Sequence, residues 1–311
     1  MYATIASIMA RIVFMGSPEF AVPVLRKLAD HYQVIGIVTQ PDRPAGRGRI
    51  LTSPPIKILT DELNLPVIQP RRMSEPEAMQ QLHLWAPDLI VVAAFGQILR
   101  PEVLNLPRLG CVNVHASLLP RWRGAAPIPA AIMSGDELTG ITIMRMDPGI
   151  DTGPILSQRT VQITREDTTG SLLLKLSAIG ADLLIETLPG YLNNTLIPEQ
   201  QDNSLATYAP MIKKEDGLLD FTLPAADMER RVKAFNPWPG AYTFWKNQVL
   251  KIHRAHTIAL LLEPAGRKVI HHGLPAITTC DGVLVLDELQ PAGKNILTGK
   301  TFLIGARNWE S

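Results

Sequence analysis

Residues 89–94 read Leu-Ile-Val-Val-Ala-Ala, an apolar run with no polar residue on either face of a strand. A strand in a sheet open to water on one side alternates polar with apolar positions. One that does not alternate has to be covered on both faces, which is the setting of a parallel sheet flanked by helices. The start of the chain carries the same signature. Residues 12–15 form a short apolar run ending at Gly16, and 33–38 form a second. Between them Ala21, Val24, Leu25 and Leu28 recur at helical spacing, with Pro23 in the first turns. The opening unit is therefore βαβ. Further strands are expected at 112–115 and 141–144, and Leu172, Leu176, Ile179 and Leu183 mark a long amphipathic helix reaching about 188. Strands alternating with helices predict a doubly wound, Rossmann-like α/β domain over 9–192.

The polar stretch 193–210, with Asn, Gln, Asp and Pro and little periodicity, reads as a linker. Beyond it, over 211–311, the texture changes. Met228, Val232 and Phe235 suggest one helix, and short β-like runs follow at 249–253, 268–270, 276–279 and 283–286. Closely spaced short strands predict a small barrel. A length of 311 residues also favours two cores over one.

Composition narrows the classes further. With 46% hydrophobic and 19% charged residues the chain has ample material to bury and no signature of disorder. A net charge of +1 excludes a general polyanion binder, so a nucleic-acid partner has to be met by a local patch. No apolar run reaches the roughly 18–20 residues of a membrane helix. Residues 1–8 lack a basic n-region and directly precede Met9, so they read as an upstream-start extension. Cys111 and Cys280 are far apart without metal-ligand spacing, and are expected to be two buried free thiols in a reducing cytoplasm.

Chemistry concentrates after the run at 112–115. Asn113 and His115 stand two apart and so share one face of a strand. A loop rich in Pro, Arg and Gly follows, Ser117-Leu118-Leu119-Pro120-Arg121-Trp122-Arg123-Gly124, and later comes Asp151-Thr152-Gly153. An amide, an imidazole and a carboxylate suit a reaction that loads negative charge on a carbonyl oxygen while moving a proton. Taken singly each has a plainer reading: Asn as a turn residue, His as a satisfied side chain, Asp-Thr-Gly as a turn. Cys111 shares their face, but such a position is usually core and the trio does not need a thiol. The first βα turn, Gly16-Ser17-Pro18-Glu19-Phe20, lacks the G-x-G-x-x-G of dinucleotide folds. Pro18 and Glu19 crowd and charge the place where a pyrophosphate would meet the helix, which argues against an NAD-dependent oxidoreductase.

These motifs, with 39–49 (Thr-Gln-Pro-Asp-Arg-Pro-Ala-Gly-Arg-Gly-Arg) and Phe235-Asn236-Pro237-Trp238-Pro239-Gly240, make the chain resemble the folate-dependent formyltransferases over nearly its whole length, most closely the branch acting on methionyl-tRNA. The resemblance implies formyl transfer from 10-formyltetrahydrofolate to the α-amine of methionine on initiator tRNA, without a metal. It implies that Asn113 and a protonated His115 hold the oxyanion, and that Asp151 raises the imidazole pKa and helps move the amine proton. Ser117, Leu118, Leu119 and Pro120 become the folate segment, offering backbone polar groups and two apolar side chains, with Val92, Phe95, Ile98 and Leu99 as walls of the pterin slot. Arg43, Arg47 and Arg49, with Lys57, become the loop that meets the tRNA acceptor end. The second domain is implied to be an OB-like barrel whose Lys233, Lys246, Lys251, Arg254 and Lys268 touch phosphates. Phe95 stands where the family usually has Tyr, and Pro129 and Pro148 where polar residues are commoner; none of these touches the trio. A cytoplasmic monomer is expected. Two other readings, a formyltransferase for a nucleotide or sugar amine and a binding protein without catalysis, are opposed by the 41–57 loop with the second domain and by the intact trio, respectively.

The basic loop yields a direct expectation. Arg47→Ala should lower kcat/KM for Met-tRNA while leaving folate affinity nearly intact. A base contact is worth about 1–3 kcal/mol and a phosphate contact shows as a shallower salt dependence. Kinetics against salt, with folate titration in parallel, would return the loop to a solvated turn if tRNA use is unchanged.

Overall fold

In the computed structural model of the chain the described residues are 10–310, apart from 46, 47, 49, 261 and 263. They form two compact units. The first takes the chain up to Pro127 with Leu138–Gln162 and Leu173–Ala209; the second takes Ile128–Glu137, Ile163–Leu172 and the chain from Pro210 onward.

The strands of the first unit are β1 Arg11–Gly16, β2 Gln33–Val38, β3 Arg43–Ala45, β4 Ile50–Thr52, β5 Val67–Ile68, β6 Leu89–Ala93, β7 Cys111–His115, β8 Arg123–Gly124, β9 Leu138–Arg145, β10 Ile155–Gln162 and β11 Tyr208–Ala209. Seven of them make one sheet in the order β10-β9-β7-β6-β1-β2-β5. All five residues of β6 are buried, as is all of β1 after Arg11, which is what their unbroken apolar runs require. The helix Val22–His31 carries Pro23 in its first turn and buries Val24, Leu25 and Leu28. Gly36 in β2 lets the Trp85 indole lie against the strand, since a Cβ there would stand 2.5 Å from the ring.

From β1 the chain steps to β2 and β5 on one side, then returns to lay β6 on the other side of β1 and β7 beyond it, all in parallel. Such a reversal opens a crevice at the carboxyl ends of the strands. The expected doubly wound half is thus present, but the sheet is mixed. Strand β9 runs antiparallel to β7, and β10 antiparallel to β9. Period alone could not have told the direction of 141–144. The helix Thr169–Leu192 extends past the expected end and carries Pro189 inside it. No helix among the described residues is long and apolar enough to cross a membrane.

The second unit is an antiparallel β-sheet domain in which no closed barrel is found among the described residues. Its strands β12 Ala241–Trp245, β13 Gln248–Ile258, β14 Lys268–His271, β15 Leu274–Thr278, β16 Val283–Pro291 and β17 Leu297–Thr298 pair antiparallel in the order β12-β13-β16-β15-β14, with β17 on β16. Among the described residues no pairing joins β12 to β14, so the sheet stays open. Helical and C-terminal residues do the covering that closure would otherwise do. Met228 and Val232 of the helix Ala225–Ala234, Phe302 of the helix Gly299–Gly305, and Trp309 pack in one core with Leu250, Ile252, Leu284 and Leu286. Trp309 Nε1 donates to the Val269 carbonyl at 2.9 Å.

Gly36→Ala should lower the melting temperature by several degrees without altering the far-UV spectrum. Overpacking of this kind costs about 1–3 kcal/mol, and thermal unfolding that matched the wild type would show that the Trp85 contact is soft.

Candidate active site

Strand β7 is buried throughout and lies between β6 and β9, with Asn113 opposite Val92 on one side and Met144 on the other. That placement fixes the Asn113 and His115 backbone in the middle and at the carboxyl end of β7. After β9 the chain turns back at once: Met146 N donates to the Cys111 carbonyl at 2.8 Å, and Arg145 N to the Pro154 carbonyl at 2.9 Å. Inside this closed loop Asp147 Oδ1 accepts from Gly149 N and from Thr152 Oγ1. Asp151 sits in the left-handed region at φ +52°, which aspartate tolerates better than most residues. Gly153 is required by proximity, because a Cβ there would meet the Arg145 carbonyl oxygen at 1.9 Å.

The loop delivers the Asp151 carboxylate to β7. Oδ2 accepts from Gly124 N at 2.8 Å and stands 3.6 Å from His115 Nδ1; Oδ1 accepts from Asn113 Nδ2 at 3.4 Å. His115 Nε2 lies 3.0 Å from the Trp122 carbonyl, an acceptor that assigns the proton to Nε2 and leaves Nδ1 facing the carboxylate. Asp151 is thus within hydrogen-bond or ion-pair reach of both His115 and Asn113, the latter 38 positions away in the chain. The set can hold a proton between imidazole and carboxylate, and the second N–H of Asn113 can meet a developing oxyanion.

Cys111 is excluded from this chemistry. Burial pushes its thiol up to about 12, so the nucleophilic thiolate is nearly absent at neutral pH. Its sulfur points at the Val103 and Leu104 carbonyls, each 3.9 Å away. Cys280, by contrast, is exposed, which corrects the expectation of two buried thiols; it lies in the turn at 279–282 that leads into β16, where no core residue is needed.

The segment Ser117 to Pro120 is more occupied than its sequence suggests. Ser117 Oγ donates to the Arg121 carbonyl, and the Ser117 carbonyl accepts from Thr142 Oγ1, both at 2.6 Å. Leu119 N donates to Thr142 Oγ1, the Leu119 carbonyl accepts from Gln158 Nε2, and the Leu118 carbonyl accepts from Arg121 N. What remains for a heterocycle is spare carbonyl lone pairs and the half-buried Leu118 and Pro120. Thr142 and Gln158, which shape the segment, escaped sequence reading because polar residues in β9 and β10 carry no motif. Of the expected pterin walls, Val92, Phe95 and Leu99 belong to the core around Trp85. Ile98 is 78% exposed and lines a cavity of about 770 Å³ with Met73, Val103, Arg71, Arg72 and Arg100.

Arg43 is exposed at the start of the β3–β4 hairpin, whereas Arg47 and Arg49 lie outside the described residues. Lys57 is not in the loop but on the helix Pro55–Glu62, paired with Asp61. The hairpin also exposes Ile50 and Leu51, an apolar element that the charge pattern hid. In the second unit Lys233 pairs with Glu229, Arg254 with Glu288 at 3.3 Å, and Lys246 and Lys268 lie over Trp245 and Trp309. Lys251 is exposed.

The formyl transferase family model matches residues 10–188, and the model for the formyl transferase C-terminal domain matches residues 211–307. The chain belongs to the formyl transferase family. Curated relatives include the methionyl-tRNA formyltransferases of Chloroflexus aggregans, 46% identical over 95% of this chain and 97% of the relative, and of Geobacter sulfurreducens, 46% identical over 96% and 94%. Among solved structures the fold is shared with WlaRD, a sugar 3N-formyl transferase crystallised with dTDP and 5-N-formyl-THF (TM-score 0.67, 18% identity, 92% of this chain and 99% of that one). It is shared too with the methionyl-tRNA formyltransferase of Clostridium thermocellum (TM-score 0.58, 16% identity, 89% and 99%). HypX from Aquifex aeolicus in complex with tetrahydrofolic acid matches at TM-score 0.61 and 17% identity; 95% of this chain spans about half of that one, 47%.

If this cluster is the site of formyl transfer, Asp151→Asn should fold normally, since asparagine also tolerates the left-handed conformation, yet lose about 100- to 10,000-fold in kcat. Wild-type turnover would remove Asp151 from the mechanism. Cys111→Ala should keep wild-type kcat and lose about 1 kcal/mol of stability, in keeping with a small core side chain; a collapse in rate with the fold intact would overturn the core reading.

Proposed function

We propose that this chain transfers the formyl group of 10-formyltetrahydrofolate to the α-amino group of methionyl initiator tRNA, in the cytoplasm and for translation initiation. The observation that carries the reading is the convergence of Asn113, His115 and Asp151 at the edge of β7, within a chain 46% identical to curated methionyl-tRNA formyltransferases.

The geometry supports the following roles. The methionine amine adds to the formyl carbon, and the Asn113 amide, through the N–H not directed at Asp151, donates to the oxygen that takes up charge. A protonated His115 supplies a positive charge beside that neutral donor. Asp151, held by Gly124 N, accepts the proton shed by the amine, directly or through water, and passes it to the folate nitrogen as the bond from that nitrogen to the formyl carbon breaks. No covalent enzyme intermediate is needed. For the donor, Ser117, Leu118, Leu119 and Pro120 form one edge of the site. The cavity beyond β6 has a volume suited to a folate-sized molecule, an apolar side at Ile98 and Val103, and arginines suited to carboxylates.

We assign catalysis to 9–192, with 193–210 joining it to a tRNA-binding region at 211–311. Arg43, Arg47 and Arg49 meet the acceptor end, and exposed Lys251 and Phe244 of the open sheet offer a charge and a stacking face to the RNA.

Purified protein mixed with 10-formyltetrahydrofolate and charged initiator tRNA should yield formyl-methionine, and a nucleotide-linked amino sugar should not be formylated at comparable kcat/KM. Preference for the sugar amine would reassign the acceptor while leaving the formyl transfer chemistry in place.

A further inference from the structure

Behind the catalytic turn lies a buried polar relay that starts in the stretch expected to be a linker. Resting on the function proposed above, we propose that Gln201 and Arg123 are positioning residues for formyl transfer: together they lock the Asp151–Gly153 turn and thereby aim the Asp151 carboxylate.

Arg123 is only 2% exposed, an unusual place for a guanidinium. Its Nε and Nη2 both donate to Gln201 Oε1, at 3.0 and 2.7 Å, and Nη2 donates also to Asn203 Oδ1 at 2.8 Å. Two charged donors on one oxygen fix the orientation of the Gln201 amide. Its Nε2 is then presented to two carbonyls at once, Asp151 at 2.9 Å and Gly153 at 2.7 Å. The amide cannot be turned over without setting its NH2 against the guanidinium and its oxygen against two carbonyls. A left-handed aspartate is thereby clamped from its backbone side, while Gly124 N holds its carboxylate from the other.

The same short stretch is sewn to both arms of the site. Glu199 and Ile155 exchange two backbone bonds at 2.7 and 2.8 Å. Strand β11 pairs in parallel with β8, and Thr207 Oγ1 accepts from Trp122 N at 2.9 Å. One arm thus carries Gly124 N and the Trp122 carbonyl that binds His115; the other carries Asp151. Besides the bond from Gly124 N to the Asp151 carboxylate, Gln201 with Arg123 ties the two arms through side chains. This is a positioning role and not catalysis, since neither side chain is placed to meet the reacting atoms.

The test is a double-mutant cycle in the full chain. Gln201→Glu keeps the size and gives Arg123 a carboxylate to bind, but sets an acceptor against the two carbonyls. It should lower kcat about 10- to 100-fold, the scale on which about 1 Å of misplacement acts, with KM for Met-tRNA and for folate within about threefold. Added to Asp151→Asn it should cost less than about a further threefold, because Gln201 acts through Asp151. A purely structural Gln201 would instead give losses that multiply in full, or a rate that simply follows the folded fraction; either result overturns the proposal, as does Gln201→Glu with wild-type kcat. Should the Glu variant not fold, Gln201→Ala, which leaves room for water beside Arg123, enters the same cycle with the same expectations. A wild-type protein that formylates no Met-tRNA would sink the function itself, an outcome distinct from an active wild type whose Gln201 variants are equally active.

Discussion

The site depends on β9 folding back antiparallel along β7. Had β9 run parallel to β7, the chain after it would have emerged at the carboxyl edge of the sheet and not beside the start of β7. The antiparallel return puts Arg145 opposite Val112 and brings Met146 N to the Cys111 carbonyl. The loop that follows is therefore anchored beside the very strand that carries Asn113 and His115. Those two are immobile because β7 is buried between two neighbours. Only the turn at 151–153 had to be shaped to meet them, and a positive φ at Asp151 with a Cβ-free Gly153 is how it is shaped.

Burying so many polar groups is costly unless each is satisfied. Here the polar groups are arranged to satisfy one another. The Trp122 carbonyl accepts from His115 Nε2, Gly124 N donates to one carboxylate oxygen of Asp151, and Thr142 serves the Ser117 carbonyl and the Leu119 amide together. This leaves Nδ1 and one N–H of Asn113 as groups still able to change partners, which is what chemistry at a carbonyl requires. A rigid, internally bonded frame with few uncommitted donors is the general form of electrostatic preorganisation.

How much was legible varies with the range of the cause. Strands β1, β2, β6 and β7 follow from apolar runs, and the shared face of Asn113 and His115 follows from the two-residue period of a strand. The helix at Val22–His31 follows from spacing and from Pro23 in its first turn. The edge strand β10, the helices Pro55–Glu62 and Pro76–Trp85, and strand β12 leave little trace in the sequence, because short or half-exposed elements give weak periodicity.

The sequence by itself determined the parallel half of the first sheet, the candidate trio and the chemical character of its members, since these rest on local pattern and residue type. Tertiary structure alone decided that β9 reverses, that no pairing closes the second sheet among the described residues, that Cys280 faces solvent, and that Gln201 reaches the turn at 151–153. The division has one physical reason. Periodicity records which face of an element meets the core, whereas strand direction, sheet closure and the partners of a buried amide are set by contacts between residues tens of positions apart, on which local pattern carries no information.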